Sequence, residues 1–116
     1  MGYMLLIVEP LGQREERGEA GGREAYAQML AYAGELQQAG ALKAVESLAT
    51  HGSRLQVRGG ERRIVDGPYA EAREMVGGIF LLADHVGREE ALEWAARCPA
   101  AQWATVEVRQ TAPCYL

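Results

Sequence analysis

Lysine is nearly missing: Lys43 is the only one, and the other eleven basic side chains are arginines. Basic charge is also outnumbered, with 12 Lys and Arg against 16 Asp and Glu and a net charge of −4. That balance gives no electrostatic case for duplex nucleic acid or an anionic membrane, so neither is expected as a partner. Cysteine is scarce as well, and Cys98 and Cys114 lack any CxxC or Cys/His spacing that holds a metal. Both read as reduced thiols, and no metal or other cofactor is expected. The longest apolar opening, Met4 to Val8, is far too short for a membrane span, and no basic segment of a secretion signal precedes it. A cytoplasmic protein is the expectation.

What is present is the composition of an ordinary globular chain: 116 residues, 48% hydrophobic and 24% charged. This length suits a single domain over residues 1–116, burying roughly two-thirds of the surface that its unfolded chain exposes.

The run Tyr3-Met4-Leu5-Leu6-Ile7-Val8 has the length and continuity of a central strand. From Glu9 to Gly22 the chain is polar and glycine-rich, which predicts an exposed loop. Tyr26, Met29, Leu30, Ala33 and Leu36 recur at helical spacing between Arg23 and Gln38, with Gly40 placed as a C-terminal cap. Leu42 to Leu48 reads as a returning strand, with Leu42 and Ala44 on one side and Lys43 and Glu46 about the other.

Leu55-Gln56-Val57 and Arg63-Ile64-Val65 flank Gly59-Gly60, a dipeptide suited to a tight hairpin turn. Asp66-Gly67-Pro68 stops the second arm, and a short helical turn is expected over Glu71 to Glu74. Gly77 to Ala83 is the second strongly apolar strand, whose paired glycines let a backbone or a ligand approach closely. Arg88 to Arg97 reads as a helix with carboxylates in its first half, an inner stripe of Ala91, Leu92, Ala95 and Cys98, and Pro99 as its stop. Trp103 to Val108 supplies the last strand, and Gln110 to Leu116 an extension or interface segment.

Strand, helix, strand, hairpin, strand, helix, strand is the order of an α+β, ferredoxin-like split βαβ fold: an antiparallel sheet with two helices on one face. The opposite face then needs cover that a chain of this length does not supply. A homodimer with sheet against sheet is the expected solution.

The most informative segment is Asp66-Gly67-Pro68-Tyr69-Ala70-Glu71-Ala72-Arg73-Glu74, followed by Gly77-Gly78. It resembles the Asp-Gly-Pro-Phe-x-Glu-x-Lys-Glu (DGPF) motif and Gly-Gly strand start of the YCII-related domain proteins. The likeness extends to Tyr3–Val8, Gly40, Ala91-Leu92-Glu93-Trp94-Ala95 with Pro99, and Val106-Glu107-Val108-Arg109. Tyr69 for Phe and Arg73 for Lys keep a ring and a positive charge. The resemblance implies a ferredoxin-like fold that pairs into a dimeric α/β barrel. It implies no single reaction; the broader group is similar to small barrel enzymes acting on aromatic or chlorinated rings. Some members are encoded with, or fused to, extracytoplasmic-function sigma factors, which implies an alternative role as a non-enzymatic partner or sensor module. A His–Asp pair is proposed as catalytic in the broader group. Asp66 carries over from the motif, but the first helix has no histidine, so the pair does not carry over complete.

Asp66 therefore has two readings: a catalytic acid or base beside a cleft, or the side chain of an Asx-type turn. Tyr69, Arg73, His51 and His85 are the candidate ligand-binding residues, with Arg73 as an anion clamp and either histidine as a proton shuttle. Each has a plainer reading: Arg73 with Glu71 and Glu74 as a solvated turn, the histidines as surface residues. Tyr26 and Tyr32 are further candidates for a pocket wall, although Tyr26 fits the helix core face. A small-molecule partner, acted on by lyase- or isomerase-like proton transfer, is the leading expectation.

Overall fold

The apolar opening becomes strand β1 (Tyr3–Pro10), and its burial alternates, with Leu5, Ile7 and Glu9 turned inward. In the computed structural model, which describes residues 1–69 and 71–116, helix α1 (Gln13–Gln38) follows after a two-residue turn. Strands β2 (Leu42–Ser47), β3 (Ser53–Arg58), β4 (Glu61–Asp66) and β5 (Glu74–Leu82) come next. Helix α2 (Arg88–Arg97), a 3-10 turn over Pro99–Gln102 and strand β6 (Thr105–Gln110) complete the order.

The main sheet runs β2-β5-β1-β6 with every neighbouring pair antiparallel, while β3 and β4 form a separate two-stranded sheet. With the hairpin set aside, the strand order is that of the ferredoxin-like split βαβ fold, as the element order predicted. Both helices lie on the face that carries Leu5, Ile7, Phe80 and Leu82. Tyr32 ties the layers together: its hydroxyl donates to the Trp94 carbonyl at 2.5 Å, and its ring meets Phe80 and Trp94 edge-on at 5.3 and 6.2 Å.

Several expectations need correction. The stretch Glu9 to Gly22 is not a loop, since β1 extends to Pro10 and α1 begins at Gln13. Glycines at positions 18, 21 and 22 lower its intrinsic helicity by about 1 kcal/mol each relative to Ala. Tertiary contacts override that cost: Gln13 Nε2 donates to the Trp103 carbonyl at 2.6 Å, and the Arg17 guanidinium lies 5.5 Å from the Trp103 ring. The helix is kinked at Gly18, whose φ of 76° and ψ of 174° belong to a region that only glycine occupies readily.

The inner face of α1 also differs in part from the expected one. Met29, Tyr32, Ala33 and Leu36 pack inward, whereas Tyr26 and Leu30 are about half exposed. On α2 the stripe is Ala91, Trp94, Ala95 and Cys98, with Leu92 outside. Both stripes are i, i+3, i+4, i+7, and each takes in an aromatic residue outside the expected stripe, Tyr32 on α1 and Trp94 on α2. In β2 the register shifts at Lys43, so Leu42 pairs with Leu82 and Val45 with Phe80. Glu71–Glu74 is not a helical turn, because β5 already begins at Glu74. The last strand starts at Thr105 because the 3-10 turn occupies the residues after Pro99.

The other face of the sheet carries Met4, Leu6, Val8, Ile79 and Leu81, paired across β1 and β5 and partly exposed. Among the described residues no second layer covers it. No helix described is long and apolar enough to cross a membrane.

Candidate functional site

β1 alternates, so its third inward position after Leu5 and Ile7 is a carboxylate: Glu9 is 5% exposed. A buried charge needs a partner. The turn at Leu11-Gly12 brings α1 back over the sheet, and Arg14 Nη2 meets Glu9 Oε1 at 2.5 Å. That oxygen is buried without a well-aligned hydrogen bond, so the pairing is one of close charge rather than of ideal donor geometry. Arg14 is one-third exposed, and its Nη2 also donates to the Gly77 carbonyl at 3.4 Å.

Gly77 is the extra residue of a bulge, since Ile7 pairs with Gly78 and Val8 with Val76. A Cβ at position 77 would overlap the Glu9 carboxylate, lying 2.7 Å from Cδ and 2.9 Å from Arg14 Nη2. The room at Gly77 is therefore what admits the ion pair. At Gly78 a Cβ would stand 3.1 Å from the Glu46 carbonyl of the neighbouring strand. Close approach was expected at this dipeptide, and one glycine makes way for side chains, the other for backbone.

Above this floor lies a cavity of about 830 Å³ between the N-terminal half of α1 and the sheet. Its volume falls within the range of small-molecule sites. Ile7, Phe80, Met29 and Leu30 give it apolar walls, Tyr26 and Trp103 give it aromatic edges, and Glu9, Arg14 and Arg17 its charge. Arg17 is oriented by the Gln13 side chain at 3.1 Å as well as by Trp103. The kink at Gly18 and the small Gly22 and Ala25 face the same space.

The residues singled out in the sequence lie elsewhere. Asp66 is exposed at the base of the hairpin, where Ser53 Oγ donates to its Oδ1 at 2.6 Å. The Gly67 amide donates to the Gly52 carbonyl at 2.7 Å, and the Tyr69 ring stacks under the Arg54 guanidinium at 3.7 Å. Asp66, Tyr69 and the exposed His51 thus share one end of the hairpin. Arg73 is exposed, and its carbonyl accepts from the Leu11 amide at 2.9 Å, which fastens the segment to the start of α1. His85 is exposed in the turn before α2. None of these side chains lines the cavity, and Ala70 lies outside the described residues. Of the tyrosines, Tyr26 belongs to the cavity and Tyr32 to the core. Burial pushes the Tyr32 phenol above its ordinary range, Cys98 and Glu35 add to that push, and the nearby Arg97 opposes it.

The Glu9–Arg14–Gly77 constellation escaped the sequence reading because its members come from β1, α1 and β5. The signal was there in the alternation that puts Glu9 in phase with Leu5 and Ile7.

Fold and site together define the class: a ferredoxin-like α+β domain with an amphipathic cavity between its first helix and its sheet. A family model of the YCII-related domain matches residues 1–114, and the chain belongs to that family. No curated protein matches it.

Proposed function

We propose that this YCII-related protein holds a small molecule in the cavity beneath α1, and that it works as a homodimer with the uncovered sheet faces together. The observation that carries the binding reading is a buried carboxylate, Glu9, ion-paired with Arg14 through Oε1 at the floor of a largely apolar cavity. A ligand with an apolar body and a hydroxyl or amine would give Glu9 a donor. Arg14 and Arg17 would take up negative charge on the same molecule. If the ligand turns over, the step this arrangement supports is proton transfer, with Glu9 as proton acceptor and the arginines stabilising the anion formed. Asp66 and Tyr69 stand at the hairpin base, so in this reading they shape the turn rather than touch the ligand.

Trp103 provides the test, because its ring edges the cavity. Fluorescence and thermal shift against a metabolite library are expected to find a ligand whose affinity falls at least tenfold in Glu9→Gln and in Arg17→Ala. Asp66→Asn should leave it unchanged. Loss of binding in Asp66→Asn alone would return the site to the hairpin base, and a cavity that takes no ligand would favour the partner-module reading.

A further inference from the structure

The β3–β4 hairpin is the part of the fold that its own chain leaves unused. Every residue of both strands is exposed, including Leu55, Val57, Ile64 and Val65, each more than half so. Pairing of Leu55 with Ile64 and of Val57 with Arg62 puts Leu55, Val57 and Ile64 on one face. A lone two-stranded hairpin is marginal in water, so a surface of this kind is kept in shape by something that covers it. The hairpin also stretches the molecule. The radius of gyration is 16.0 Å, against about 13 Å for a compact chain of this length.

We infer that the hairpin is an arm that packs its apolar face on the body of a second copy of this chain, beside the sheet-to-sheet contact. The inference rests on the homodimer proposed above and adds where much of its energy lies. Charge favours this occupant. Arg54, Arg58, Arg62 and Arg63 against Glu61 and Asp66 give the arm a net +2 and leave −6 on the rest of the chain, an overall attraction to which Arg62 contributes from the apolar face and Arg54, Arg58 and Arg63 from the other. At the margins of the uncovered sheet face, on the edge strands, Glu46 pairs with Ile79 and Glu107 with Leu6; Glu107 is bridged to Arg109 at 3.5 Å, so Glu46 marks the more acidic border for the arm to meet. Area points the same way. Four strands of about seven residues make a flat face of roughly 450 Å², whereas a stable interface takes roughly 800 Å² per partner. An arm of about 20 by 10 Å adds nearly half as much again.

The test is the dimer dissociation constant of the full chain by sedimentation equilibrium, for wild type, Leu55→Asp/Ile64→Asp and Arg62→Glu/Arg63→Glu. Both double variants change exposed side chains, and circular dichroism checks that the fold is kept. The expected result is a dimeric wild type, a Kd raised at least tenfold in each variant, and β3–β4 amides whose hydrogen exchange speeds up on dilution. Raised salt should weaken wild type more than the Arg62→Glu/Arg63→Glu protein. A dimeric wild type with unchanged variants overturns the arm and leaves the dimer standing, while a monomeric wild type overturns both. Arm variants that dimerise normally but lose affinity for a mixed-sequence DNA duplex would assign the arm to nucleic acid instead.

Discussion

Replacing Gly77 by Ala tests whether the glycine is there for the Glu9–Arg14 pair. The added methyl has no free space, since its carbon would overlap the Glu9 carboxylate and stand 2.9 Å from Arg14 Nη2. The two charged groups must move apart, and Glu9, at 5% exposure, cannot turn to water without displacing its neighbours. Overpacking of this kind costs about 2 kcal/mol net of the fraction of a kcal/mol that a Gly-to-Ala change returns by stiffening the unfolded chain. For a domain of this length that is a fall in Tm of about 8 °C. The decisive background is Glu9→Ala, which removes the carboxylate and leaves Arg14, one-third exposed, free to reach solvent. There Gly77→Ala has nothing to strike. Its effect should shrink to near zero or turn stabilising by about 0.5 kcal/mol. Urea denaturation of the four proteins gives the coupling between the sites, expected to be about 2 kcal/mol. Equal costs in the two backgrounds, or a harmless Gly77→Ala in wild type, would refute the assignment of that space to the ion pair.

Tyr32→Phe removes the hydroxyl that meets the Trp94 carbonyl at 2.5 Å in the core, and a melt should show a loss of about 1 to 2 kcal/mol. Burial pushes the Tyr32 phenol and the Cys98 thiol up from their ordinary values of 10.0 and 9.0. The unfolded chain therefore releases these protons first as pH rises. Stability is complete below about pH 9 and falls above it, by up to about 1.4 kcal/mol per pH unit for each group, and Tyr32→Phe should flatten the part of that slope beyond pH 10. Cys114 is exposed and Cys98 buried, so a thiol reagent at pH 8 should label one cysteine quickly in the native protein and the second only in denaturant. Gly18→Ala forces a side chain into a backbone conformation at φ 76°; a cost of about 1 to 3 kcal/mol by denaturation, with weaker ligand binding, is expected.

The strands and the sheet order were legible because apolar run length and turn chemistry are local signals. Tyr3–Val8, Gly59-Gly60 and Gly77–Ala83 each carry their assignment within a few residues. The helix that begins at Gln13 was not legible, because its first turn is held by Trp103, ninety residues away, against a glycine-rich composition. Each helix face was legible in part: Met29, Ala33 and Leu36 on α1 and Ala91, Ala95 and Cys98 on α2 pack inward as expected, but Tyr32 and Trp94 were not legible as core. Tyr32 and Trp94 look amphipathic in sequence, and only the carbonyl of Trp94 within reach of the Tyr32 hydroxyl makes both of them core.

The cavity's charge was hidden in a different way. Asp66 stands out as an acid in a distinctive turn, yet a turn is where an exposed carboxylate is cheapest to keep, and there it accepts a hydrogen bond from Ser53. Glu9 ends an apolar strand and looks like the start of a loop. Two-residue alternation already puts it on the face of Leu5 and Ile7, where a carboxylate is costly unless something holds it. An arginine five positions on and a glycine in the facing strand are what that cost requires, and Arg14 and Gly77 supply them. In a central strand, then, a carboxylate in phase with the buried stripe is the stronger pointer to a site than one in a turn, because the fold must be built around it.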